Sequence, residues 1–385
     1  MIYKKKIIVP VDFFDHVYSK QKSRGELYTS DDIRSMMSAM IEEGNADVCL
    51  WQVTACGNVT YRSNVENRLE WEARAPARAM KAVLDAYDPL RESVRHAKNF
   101  GLPLFGLMSL FDEGFPPMLS RLFQKHPHCQ WADRTGSIYL RGVPCYDYEE
   151  AVAFRLELIK EVLSYGVDGL CLSLRSHCDQ STPYRQRDFF GFNTPVVNAF
   201  KERYGVNLRD FSDCEHTHDQ NHFISEWKFI GGEFDTNAWH RLKGESLTLL
   251  LKEIRKLVGP DFPVWICFLG PFERMMLPPH LKDAAYLTEG LHSFARFHID
   301  WENWLEKKLV DAIVVQCYRG MPPEDGVLPF VSETRARGGQ IYWLERALTS
   351  SLSWRDTKSF AEKIRHLPID GVLPYEAECF DVGCR

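Results

Sequence analysis

Apolar residues in this chain fall in short unbroken runs separated by segments of helical periodicity, and four of the runs begin alike. They are Ala46-Asp47-Val48-Cys49-Leu50, Val167-Asp168-Gly169-Leu170-Cys171-Leu172, Val310-Asp311-Ala312-Ile313-Val314-Val315 and Ile369-Asp370-Gly371-Val372-Leu373. Each sets an Asp directly ahead of an apolar stretch. A strand covered on both faces loses polar alternation and reads as a continuous apolar run, which is the mark of a parallel sheet. Together with the runs opening at Lys6, Leu102, Pro263 and Gln340, they bring the expected strands to eight. Strands alternating with helices in this way predict an α/β fold, a (β/α)8 TIM barrel, whose chemistry is built at the C-terminal ends of the strands.

Helix signals fit between the runs. Thr29-Ser30-Asp31-Asp32 is a capping sequence for a first helix reaching about Gly44, and Asp88-Pro89-Leu90 opens another with Pro in its first turn. Periodic stretches at 148–166, 195–204, 239–257 and 299–308 supply more. At 385 residues the chain is longer than a bare barrel of roughly 250. The excess concentrates near 114–147 and 178–240, which are expected as βα-loop insertions in one domain spanning 1–385. Loops of that length commonly carry lids or binding elements.

A formal net charge of −6 gives no basic face for nucleic acid. No stretch approaches the ~20 apolar residues that span a bilayer. The N-terminal Met1–Pro10 lacks the apolar core and cleavage site of a signal peptide. With Cys49, Cys171, Cys267 and Cys317 inside apolar runs, a reduced, cytoplasmic protein is expected unless a leader precedes the given sequence. There is no GxGxxG, no Gly-x-Ser-x-Gly and no His-Glu-x-x-His, so no cofactor and no metal are expected. His218 and His222, within 215–222, are read as part of a solvated loop.

Polar residues that close apolar strands are the candidate chemistry. Glu345 and Glu376 stand at the ends of the last two strands, where a barrel presents side chains to its mouth. Glycoside hydrolysis needs two carboxyl groups opposed across the scissile bond, one protonated and one ionised. Glu345 is assigned as nucleophile or base and Glu376 as acid, with the roles exchangeable. Arg175, His177, Gln316, Tyr318 and Arg346 are candidates for binding sugar hydroxyls. Asp12 and Asp112 are candidates for lining the cleft, and Trp51, Trp265 and Trp343 for stacking on sugar rings.

Several motifs carry a resemblance. Asp88-Pro89-Leu90, His96-Ala97-Lys98-x-x-Gly101-Leu102, His126-Pro127-x-x-x-Trp131 and Tyr165-Gly166-Val167-Asp168-Gly169 are similar to segments of the glycosyl-hydrolase-like family 10 proteins. That resemblance implies a (β/α)8 barrel related to clan A glycosidases and a place in bacterial polysaccharide degradation. Clan A enzymes set an acid Glu after Asn at strand four and a nucleophile Glu at strand seven. Glu345 matches the second, whereas strand four ends in Arg175-Ser176-His177 with no Asn-Glu pair. The expected function is therefore a glycoside hydrolase acting on an oligo- or polysaccharide. The alternatives are a noncatalytic carbohydrate-binding barrel, or a metal-dependent hydrolase or isomerase on the same fold.

Overall fold

The computed structural model describes residues 5–13, 27–55, 57–66, 68, 75–114, 119–174, 176, 190–210, 213–219, 224–230, 234–269, 297–317, 324–346 and 366–375. In chain order its strands are β1 (Lys6–Val11), β2 (Val48–Gln52), β3 (Thr54–Ala55), β4 (Asn58–Val59), β5 (Leu104–Ser109), β6 (Gln130–Ala132) and β7 (Tyr139–Pro144). They continue with β8 (Gly169–Ser173), β9 (Asp213–Asp219), β10 (Ile224–Ile230), β11 (Val264–Leu269), β12 (Ala312–Cys317), β13 (Gln340–Arg346) and β14 (Gly371–Tyr375). Eight of them close into a barrel in the order β1-β14-β13-β12-β11-β8-β5-β2, and every neighbouring pair is parallel. This is the (β/α)8 barrel expected from the apolar runs.

The four Asp residues that announce these runs share one job. Asp47 Oδ2 accepts from the Ile7 amide at 2.9 Å, and the Asp47 amide donates to the Ile7 carbonyl at 2.7 Å. Asp168 makes the same reciprocal pair with Leu104 (2.9 and 2.8 Å), Asp311 with Val264 (2.8 and 2.8 Å) and Asp370 with Ile341 (2.8 and 2.8 Å). Each clamp joins the entry of one strand to the entry of the strand before it. Since β1/β2, β5/β8, β11/β12 and β13/β14 are the pairs joined, the clamp recurs on every second strand around the barrel. It lies at the N-terminal face, where conservation of geometry serves stability rather than catalysis.

Strand alternation divides the side chains into two cores. Ile8, Leu50, Phe105, Trp265, Val314, Tyr342 and Leu344 fill the barrel interior, with the Trp265 ring packed at a tilt between Phe105 (4.5 Å) and Tyr342 (4.6 Å). Val9, Trp51, Leu172, Ile313, Trp343 and Val372 face outward and meet the helices. The helix Ser30–Glu42 shows the complementary stripe, burying Ile33, Met36, Met37 and Met40 at helical spacing. Thr29 caps it in a full capping box with Asp32, a feature worth about 1 kcal/mol. Asp88 caps the helix Pro89–Phe100, which ends on Gly101 in the left-handed conformation. The helix Ala75–Ala86 between them was not anticipated from the sequence.

Both insertions contain ordered structure. The first holds a short helix, Arg121–Lys125, a 3-10 turn at Pro127–Cys129 and the antiparallel pair β6/β7. The second holds the helix Thr194–Tyr204 and the antiparallel strand pair β9/β10; residues 215–219 of the loop expected at 215–222 lie in β9, and 220–222, His222 among them, lie outside the described residues. Among the described residues no helix is long and apolar enough to cross a membrane, and Cys49, Cys129, Cys145, Cys171 and Cys267 are free and buried.

Candidate functional site

The C-terminal ends of the barrel strands define the candidate site. Continuing the interior alternation outward past Ile8, Leu50, Phe105 and Cys171 brings the inner face to Asp12, Gln52, Ser109 and Ser173. All four are polar and half-buried, above a fully apolar interior. Their backbones are held in place. The Leu110 amide donates to the Ser173 carbonyl at 2.8 Å, the Thr60 hydroxyl to the Gln52 carbonyl at 3.0 Å, and the Ser109 amide to Thr54 Oγ1 at 3.3 Å. This arc offers one carboxylate, one amide and two hydroxyls pointing from rigid strands, the kind of support a binding site needs.

The opposite arc is described at backbone level. Gln316 of β12 pairs in register with Leu344, and therefore takes an inner-face position. In β13, residues 342, 344 and 346 share the inner face, while 341, 343 and 345 share the outer one. Arg346 thus stands at an inner-face position beside Tyr375 of β14, and Glu345 at an outer-face position between Cys317 and Pro374. Glu376, Arg175, His177 and Tyr318 lie outside the described residues.

Three tryptophans named as sugar-stacking candidates are corrected. Trp51 and Trp343 are 0% exposed, and Trp265 is 4% exposed. Trp51 packs on Phe13 (5.7 Å) in the layer between barrel and helices, Trp343 belongs to that same layer, and Trp265 fills the barrel interior. Rings enclosed on every side have no face left for a ligand.

Asp112 is likewise drawn into the protein. It is buried, as is the adjoining Glu113, beside the wholly buried Arg155 of the helix Glu149–Ser164. Arg155 forms an ion pair with Glu113 and donates from Nε to the Tyr146 hydroxyl at 3.2 Å, while Tyr146 donates to the Leu110 carbonyl. Burial pulls the Arg155 guanidinium down to about 10, against the opposing pull of Glu66, Tyr61 and Asp112. A buried cation needs such surroundings. The group anchors the segment that follows β5. Gly57, at φ +76°, turns the β3/β4 hairpin against the Glu113 backbone, where a Cβ would sit 2.3 Å from the Glu113 carbonyl carbon. Asp112 is therefore an anchor of this segment and not an exposed cleft wall.

One carboxyl with perturbed protonation escaped the sequence reading. Asp147 is pushed up to about 6, chiefly by burial, with hydrogen bonds from Cys145 and Ser246 working against the rise. Such a value suits a general acid. Its neighbours, however, are Cys145 (Sγ to Oδ2, 3.5 Å) and Ser246 of the helix Thr236–Val258, so it sits between outer elements and not on the barrel's inner face. No feature of its surroundings in sequence distinguishes it from an ordinary loop Asp.

No family model matches the chain, and no curated protein matches it. Among solved structures it is similar to the chitinase ChiC from Aspergillus fumigatus, at 11% identity over 96% of this chain and 91% of that one, with a TM-score of 0.42. It is similar to the glycoside hydrolase domain of PelA from Pseudomonas aeruginosa, at 14% identity over 75% and 85%, TM-score 0.36. It is also similar to the α-L-fucosidase AlfC from Lactobacillus casei, at 9% identity over 97% and 92%, TM-score 0.40. Likeness at this level carries no argument about chemistry.

Proposed function

We propose that this protein is a glycoside hydrolase whose cleft opens at the C-terminal mouth of the barrel. The observation that supports this most directly is the polar arc of Asp12, Gln52, Ser109 and Ser173 at the inner-face ends of four adjacent strands. It pairs a carboxylate with uncharged hydrogen-bonding groups, the inventory that recognises sugar hydroxyls. Glu345 and Glu376 are the proposed catalytic carboxyl pair, Glu345 as nucleophile or base and Glu376 as acid. Glu345 holds an outer-face register position one residue before the inner-face Arg346, so this role requires the end of β13 to carry its carboxylate over the rim into the mouth. Arg175, His177, Gln316, Tyr318 and Arg346 are proposed to bind the sugar. The substrate class is an oligo- or polysaccharide.

The test is kinetic. On a glycan panel, Glu345→Gln and Glu376→Gln should each reduce turnover by orders of magnitude while circular dichroism and thermal midpoint stay near those of the native protein. If one variant turns over normally, that residue leaves the pair and Asp12 becomes its replacement. If Glu345→Gln, Glu376→Gln and Asp12→Asn all turn over normally, the carboxyl assignment fails, and if the native protein releases no product from any glycan, the hydrolase reading fails.

One observation favours a second reading. The strand-four end runs Ser173-Leu174-Arg175-Ser176, with no carboxylate at the place where related barrels carry their acid. A barrel that binds glycans without cleaving them would give saturable affinity and no released product on long incubation.

A further inference from the structure

A second cluster of chemically capable side chains lies outside the mouth, in the insertion that follows β5. His126, His128 and Glu150 each present one ligand atom, and these atoms all lie within 4.8 Å of one another. We propose that the three residues bind a divalent transition-metal ion, zinc by preference, which clips the insertion to the first turn of the helix Glu149–Ser164.

The local architecture holds the two imidazoles in place. The helix Arg121–Lys125 ends at His126, whose amide donates to the Leu122 carbonyl at 2.7 Å. Pro127 then fixes the 3-10 turn, and the Cys129 amide closes it on the His126 carbonyl at 3.0 Å. The His126 and His128 rings stand 5.9 Å apart and nearly perpendicular, and the Tyr148 ring meets the His128 ring edge-on at 5.0 Å. Glu150 comes from the first turn of the helix Glu149–Ser164, which fixes its backbone.

The geometry is near what zinc requires. Ligands about 2.0–2.1 Å from a tetrahedral ion lie roughly 3.4 Å from one another, and His128 Nε2 is 3.6 Å from Glu150 Oε1. Closing the wider gaps calls for small side-chain rotations only. With side chains 45% and 42% exposed, His128 and Glu150 leave the site open to ions from solvent. Two imidazoles and one carboxylate favour zinc, nickel or copper over magnesium and calcium, which prefer all-oxygen sets. A water would fill the fourth position. Cys129, next to His128, is fully buried and is not one of the three residues whose ligand atoms converge.

The alternative is a plain surface contact between an imidazole and a carboxylate, of little energetic consequence. Calorimetric titration of chelator-treated full-length protein with zinc chloride at neutral pH separates the two, because it does not depend on glycosidase activity. The proposal expects saturable binding of one zinc, a raised thermal midpoint with zinc, and no heat with magnesium. His128→Ala and the isosteric Glu150→Gln should each weaken binding by more than about tenfold. The double variant His126→Ala/His128→Ala should lose it, and Cys129→Ser should keep it. A cobalt-loaded sample should show no thiolate charge-transfer band. The proposal is overturned if native protein shows no saturable zinc binding, if the double variant binds with unchanged affinity and stoichiometry, or if Cys129→Ser abolishes binding.

Discussion

Asp47 and Ile7 exchange two hydrogen bonds at the floor of the barrel, carboxylate to amide and amide to carbonyl. The same exchange at Asp168–Leu104, Asp311–Val264 and Asp370–Ile341 divides the barrel into four strand pairs, each locked at its entry. The device explains why Asp is placed ahead of an apolar strand. The first amide of a strand entering the sheet lacks a partner from the following strand, and the Asp side chain supplies one.

Removing the carboxylate should therefore weaken the fold without touching the mouth. Asp168→Ala is expected to cost about 1–3 kcal/mol by chemical denaturation, the range for a lost charged acceptor. Asp168→Asn, which keeps a carbonyl acceptor, should recover part of that. Asp311→Ala should cost more than Asp168→Ala, because Asp311 also pairs with Arg255 at 2.8 Å, and the Arg255 side chain is only 11% exposed. Glycan affinity should be unchanged in all of them.

The pair Arg155–Glu113 behaves differently, since both partners are enclosed. Arg155→Met strands a buried carboxylate and is expected to destabilise by about 3–5 kcal/mol. Adding Glu113→Gln removes the stranded charge. The double variant should then be more stable than the sum of the two single losses predicts, which a double-mutant cycle in urea measures directly.

Asp147 predicts a pH dependence of opposite sign to the usual carboxylate. Its folded value, about 6, lies above the ordinary 3.8, so the native state holds the proton more tightly than the unfolded chain does. Stability from this group is full below about 4, falls as pH rises through about 6, and is flat above. Partial exposure of the side chain limits the swing to about 1–2 kcal/mol of the roughly 3 that a shift of this size allows. Asp147→Asn removes the titration. The difference in unfolding free energy between Asp147→Asn and native protein should grow between pH 4 and 6 and stay constant from 6 to 8.

The barrel was readable from the sequence because parallel strands buried on both faces announce themselves as apolar runs. That same property hid which residues face which core. In Val48-Cys49-Leu50-Trp51 and Ile341-Tyr342-Trp343-Leu344 no polar residue marks the phase, so nothing in the pattern shows that Trp51 and Trp343 face the helices while Leu50 and Leu344 face inward. The strand pair β9/β10 was missed for the converse reason. Asp213-Cys-Glu-His-Thr-His-Asp219 is polar on both faces, and it carries the composition of a loop. Asp112 closes an apolar strand just as Asp12 does, yet only the fold brings Arg155 beside it. Position after a strand marks a candidate, and the partner across the fold decides its role.

The corrected tryptophans give a direct contrast between packing and recognition. Trp343→Ala empties a large buried volume and is expected to destabilise by about 3–5 kcal/mol. Trp51→Phe should cost less, because the Trp51 indole Nε1 has no hydrogen-bond partner among the described residues and phenylalanine removes that buried donor. Glycan affinity of folded Trp51→Phe should match the native protein within error. A large loss of affinity at unchanged stability would restore Trp51 as a stacking residue.

Asp12 is the described carboxylate at the barrel mouth, half-buried at the end of β1, next to the Gln52 end of β2. If it accepts a hydrogen bond from a sugar hydroxyl, Asp12→Asn exchanges a charged acceptor for a neutral one, at a cost of about 1.5–3 kcal/mol. That corresponds to a loss in kcat/KM of roughly tenfold to hundredfold. The split between the constants identifies the role. A binding carboxylate raises KM and leaves kcat nearly intact, whereas a member of the reacting pair lowers kcat by far more than that factor. A large fall in midpoint with no change in kcat/KM would make Asp12 a structural residue and remove the described carboxylate from the proposed cleft.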